Sequence, residues 1–151
     1  MNGAPSQLKT LIELAQGDVD TAAQRLGRFQ RERNDVDNQL QALIQYREEY
    51  YTRFNDAARA GMAAGSVRNF QAFIDTLDAA IEQQRRLLAQ ASARLDAARP
   101  EWQRQKQKLG SYEVLQARQD ALQARDEARR EQRDADEHAA RISRLRASQQ
   151  P

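Results

Sequence analysis

The chain has 151 residues, 40% hydrophobic and 30% charged, with three prolines, six glycines and no cysteine. That apolar share is lean for a round core, and the missing cysteine excludes disulfides and thiolate chemistry. A net charge of +2, from 24 basic and 22 acidic residues, leaves no one-signed stripe for nucleic acid.

Met1–Gln7 has no charged segment leading into an apolar stretch, so no secretory signal is expected. No apolar run approaches the ~20 residues that cross a bilayer. Absence of cysteine suits a reducing cytoplasm. From Leu8 onward, apolar residues recur at alternating steps of four and three: Ile12, Ala15, Val19, Ala22, Leu26 and Phe29, then Val36, Leu40, Leu43, Tyr50, Phe54 and Ala57. Arg33 and Arg47 are the polar exceptions. Such heptads predict one long coiled-coil helix over about 6–59.

Gly61 and Gly65 then predict a turn over about 60–66, with Ser66 as the N-cap of the next helix. A second heptad run starts at Phe70 and passes through Ile74, Leu77, Ile81, Leu88, Leu95 and Trp102 to Leu109 and Tyr112. Gln84 and Gln105 are its polar exceptions. This predicts a second helix over about 67–147, with Pro100 and Gly110 as points of kinking. Two such helices joined by a short turn fold back antiparallel. Matching Ala57 with Phe70 places Tyr46 level with Ile81, Tyr50 with Leu77 and Ile12 near Leu115. Residues from about Arg118 to Ala147 then overhang, about 45 Å of helix with a thin seam of Ala121, Ala124, Ala128, Ala135, Ile142 and Leu145.

Chemistry-bearing motifs are scarce. His138 is the sole histidine and has no second soft ligand near it in sequence. Gly61 and Gly65 lack the Lys-Ser/Thr of a phosphate loop. Asp134, Asp136 and Glu137 alternate with arginines, as on a solvated helix face, and Arg104, Lys106 and Lys108 read the same way. The chain is therefore expected to be no enzyme and to hold no cofactor or metal.

Aromatic residues crowd the turn instead. Gln39, Leu43, Tyr46 and Tyr50 form one stripe beside the stripe of Leu40, Ile44, Arg47, Tyr51 and Phe54. On the second helix Phe73, Leu77, Ala80 and Gln84 flank the main seam. A two-helix seam covers one stripe on each helix and leaves the other partly open, and exposed Tyr and Phe suit a binding surface.

The segments Leu43-Ile-Gln-Tyr-Arg-Glu-Glu-Tyr50, Phe70–Gln84 and Trp102–Leu115 closely resemble the FliJ family of the bacterial flagellar type III export apparatus. Leu8–Gly27 fits as well, and the resemblance weakens after about Arg118. It implies an antiparallel coiled coil similar to the central stalk of rotary ATPases, engaging the export ATPase FliI, the cytoplasmic domain of the gate protein FlhA, and export chaperones. Carried over by position, the gate-binding residues are Gln39, Leu43, Tyr46, Tyr50, Phe73, Leu77, Ala80 and Gln84, with Gln84 standing where some relatives carry histidine. Arg125, Arg129, Arg130 and Arg133 are expected to meet acidic residues of the ATPase ring.

The combined expectation is an all-α protein: one domain over 1–151, a long two-helix coiled-coil hairpin with an overhanging C-terminal helix. It is expected to be cytoplasmic, held at the inner membrane only through partners, monomeric in isolation and without nucleic acid. The alternatives are the corresponding stalk of a virulence injectisome and a free-standing coiled-coil scaffold.

Overall fold

A computed structural model describes residues 3–150, with side chains from Gln7 onward. Met1, Asn2 and Pro151, which belong to the expected domain bounds and N-terminal reading, lie outside the described residues. Two helices make up the fold, α1 (Gly3–Ala60) and α2 (Ala64–Ser148). No strand occurs among the described residues.

The turn is shorter than the glycine pattern suggests. Among the described residues, Gly61 alone adopts a left-handed backbone, φ 94°, and its N–H donates to Ala58 O at 3.3 Å. Only glycine takes this conformation without a Cβ penalty, so α1 stops here. Gly65 lies inside α2, because an isolated glycine weakens a helix by only about 1 kcal/mol and does not end it. Ser66 consequently sits in the first turn of α2, not at its N-cap; its N–H and that of Val67 both donate to Ala63 O, at 3.0 and 3.1 Å. Pro100 and Gly110 are both inside α2, which continues through them unbroken.

The chain divides into two compact units, one of residues 18–105 and one of residues 3–17 with 106–150. In the first, Ala22 and Leu40 of α1 and Ile74, Leu77, Ile81, Ala91, Leu95 and Ala98 of α2 form a buried seam, with Ile74 fully enclosed. Trp102, expected at the core, is only half-buried. Cross-helix pairs run antiparallel: Glu32 with Arg94, Arg47 with Asp78, and Phe54 with Phe70.

This pairing differs from the expected register. Tyr50, expected level with Leu77, meets Phe70 and Phe73. Tyr46, expected level with Ile81, also meets Phe73. At the aromatic end the ring pairs fall about one helical turn short of that register, whereas the Glu32–Arg94 and Arg47–Asp78 ion pairs stay within about two residues of it. The short turn, which brings α2 back sooner than a turn over 60–66 would, is compatible with this offset.

In the second unit, Leu8 and Ala15 on α1 and Leu109 on α2 are buried, while Ile12, Tyr112 and Gln116 are half-buried. Every described residue after Gln116 is exposed. This stretch keeps its helix through local means: Gln116 donates to Asp120 at 2.9 Å and Gln132 to Asp136 at 3.1 Å, both four residues apart on one face. Val114, Leu115, Leu122 and Leu145 stand about half exposed there.

Candidate functional site

The heptad step that builds the seam also throws Tyr46, Tyr50 and Phe54 toward α2, and the short turn delivers Phe70 and Phe73 to meet them. Ring centroids of Tyr50 and Phe73 are 4.6 Å apart, of Tyr50 and Phe70 5.1 Å, and of Phe54 and Phe70 5.5 Å. Tyr46 and Phe73 meet edge-to-face, 6.2 Å apart at 83°. These are favourable geometries for aromatic pairs, each contributing about 0.5–1.5 kcal/mol beyond area burial. The cluster stabilises the hairpin end and still leaves Tyr46 40% and Phe73 37% exposed. Large rings held rigid yet open to water are suited to a partner that desolvates them.

The expected gate residues fall into three layers. Gln39, Tyr46 and Phe73 are exposed, and Leu43, Tyr50 and Ala80 are half-buried. Leu77 and Gln84 are 6% and 9% exposed and lie in the seam beneath the others. The structure brings Gln39 and Gln84 together directly: Gln84 Nε2 donates to Gln39 Oε1 at 3.0 Å and to Val36 O at 3.1 Å.

Sequence reasoning misses an ion pair on the neighbouring stripe. Arg47 Nε lies 2.5 Å from Asp78 Oδ1, close enough for an ion pair though not aligned as a hydrogen bond, and the guanidinium sits 5.3 Å from the Tyr51 ring centroid. The available signal is Arg47 itself, an arginine at a seam position. Finding its partner requires the correct register.

Arg125, Arg129, Arg130 and Arg133 are all exposed on the second unit's long helix. Among the described residues, the ion pairs formed do not involve them. Arg130 borders a shallow open depression with Leu122, Asp126 and Glu127. No group of three or more metal-ligating side chains occurs among the described residues, and no helix there is long and apolar enough to cross a membrane.

Within residues 18–105, α1 and α2 fold back through one glycine turn and carry the aromatic patch, which defines an antiparallel coiled-coil hairpin. A solved structure of a Chlamydia trachomatis protein described as a YscO homologue shares this fold, with TM-score 0.50 and 15% identity, covering 97% of this chain and 94% of that one. A family model described as "Flagellar FliJ protein" matches residues 5–148. A protein of the same description from Salmonella typhi is 40% identical over 136 residues, covering 90% of this chain and 92% of its own length. Its counterpart from Escherichia coli K12 is 37% identical with the same coverage. The chain belongs to the FliJ family.

Proposed function

We propose that the chain is a non-catalytic stalk of flagellar protein export. Its aromatic patch docks on the cytoplasmic domain of the gate protein FlhA, its exposed helix with Arg125, Arg129, Arg130 and Arg133 engages the ring of the export ATPase FliI, and it assists export chaperones. It works in the cytoplasm and reaches the membrane through its partners.

The observation that carries this reading is the pair Tyr46 and Phe73, contributed by different helices, packed edge-to-face and each more than a third exposed. A ring pair needed only for the seam would be enclosed, as Ile74 is. The contact surface is then Gln39, Leu43, Tyr46, Tyr50, Phe73 and Ala80, supported from beneath by Leu77 and Gln84. The injectisome stalk is the second reading, because the YscO homologue shares the architecture. At 15% identity that likeness concerns fold alone, whereas the 40% and 37% identical relatives are flagellar.

The test is retention of the chain by the cognate FlhA cytoplasmic domain, comparing the wild type with a Tyr46→Ala, Tyr50→Ala, Phe73→Ala variant of unchanged helicity. Retention of the wild type alone supports the reading. Equal retention moves the gate site elsewhere, and no retention of either favours a scaffold role.

A further inference from the structure

Among the described residues, Gln84 is the one polar side chain buried in the seam. Its amide reaches across to α1 twice, to Val36 O and to Gln39 Oε1. A carbonyl only accepts, so the nitrogen of Gln84 must face Val36, and the geometry of the bridge is fixed.

The apolar seam does not by itself select this height. Slid by about one turn, the same heptads still set apolar residues against one another, with Tyr50 level with Leu77 and Tyr46 level with Ile81. In that arrangement Gln84 stands level with Leu43, an aliphatic side chain with no acceptor, and loses both partners. Burying an amide without a partner forfeits its hydration with nothing in return. The Arg47–Asp78 ion pair lies midway between the two alignments and, with its side chains 38% and 46% exposed, is screened by solvent, so it selects neither.

We infer that Gln84 is a positioning residue for the aromatic patch: its amide admits only the helix pairing that sets Phe73 against Tyr46 and Tyr50. A polar group at one seam position commonly fixes register in coiled coils, at some expense of stability. The consequence for gate docking rests on the function proposed above, since it is the assembled patch that the gate would read.

The cleanest readout is the ring contact itself. Nuclear Overhauser cross-peaks between Tyr50 and Phe73, and between Tyr46 and Phe73, are measured on chain with labelled Tyr and Phe. Gln84→Leu fills the seam with an apolar group, so helicity should persist by circular dichroism while the Tyr50–Phe73 cross-peak falls at least about twofold. Gln39→Leu leaves the Val36 carbonyl as acceptor and should weaken it less. Undiminished cross-peaks in Gln84→Leu overturn the inference. Loss of helicity in that variant also overturns it, by assigning Gln84 to helix formation instead of helix pairing. Gate retention is measured separately, so failure of the wild type to bind FlhA would refute the function and leave the register result standing.

Discussion

Tyr50 and Phe73, from opposite helices, bring their ring centroids within 4.6 Å, the shortest of the ring contacts around the turn. Tyr50 also touches Tyr46 and Phe70, so it is the hub through which the exposed rings are joined to the buried seam. Stability and recognition therefore separate along the cluster.

Tyr50→Ala should cost about 2–3 kcal/mol in urea unfolding, since it removes a half-buried aromatic with three ring neighbours. Tyr46→Ala, at 40% exposure, should cost below about 1 kcal/mol. Both should abolish retention by the gate domain. A Tyr46→Ala variant that unfolds as readily as Tyr50→Ala would make that ring structural.

Gly61 and Gly65 should respond in opposite directions. Gly61→Ala forces a Cβ onto a φ of 94° and should destabilise by about 1–2 kcal/mol. Gly65→Ala lies inside α2 with nothing within 4 Å of the added Cβ, and should stabilise by roughly 0.5–1 kcal/mol. Urea midpoints of the two variants check the sign.

Pro100 is exposed inside α2 and supplies no N–H to the carbonyl four residues earlier. Pro100→Ala restores that donor and should raise stability by about 1–3 kcal/mol. Thermal unfolding by circular dichroism would show it. An unchanged midpoint would mean that the surrounding seam has already absorbed the proline.

Glu101 accepts from Gln105 Nε2 at 3.0 Å, and this bond, followed by the Arg104 charge, holds its carboxyl below the ordinary 4.5. A carboxylate whose folded pKa is depressed adds stability above its unfolded pKa, and loses it as pH falls through the lower folded value. The contribution should thus fade only in acid below 4.5. Carbon-detected titration should give a midpoint under 4.5, and Gln105→Leu should move it upward.

Arg129→Glu with Arg133→Glu should weaken retention by the FliI ring, with the wild-type interaction falling as salt rises. Helicity and unfolding should change little, within about 0.5 kcal/mol, because both side chains are exposed. Unaltered ring binding would exclude this stripe from the ATPase contact.

Both helices are legible in the sequence because heptads over tens of residues have no strand interpretation. The turn is less so: Gly61 and Gly65 look alike in sequence, and only backbone geometry separates the one that ends a helix from the one that is tolerated inside it. The register is elusive for a related reason, since a seam of Leu, Ile and Ala tolerates displacement by a turn. What distinguishes the two alignments is polar and specific, the Gln84 amide on Val36 O and Gln39 Oε1. The surplus stripes of the patch are readable from spacing. Their depth is not, which is why spacing groups Leu77 and Gln84 with residues that face water.

The placement of Ile74, fully enclosed about three helical turns into α2, bears on how the hairpin assembles. Phe54 and Phe70 are near neighbours along the chain, so closing the turn between them carries little loop entropy, whereas pairs such as Glu32 and Arg94 must wait for a much longer closure. The hairpin should therefore zip outward from its aromatic end. During synthesis α1 emerges whole before any of α2, its apolar stripe unpartnered until Phe70 to Ile81 leave the ribosome. The rings proposed to grip a partner are then also the first long-range contacts the nascent chain makes.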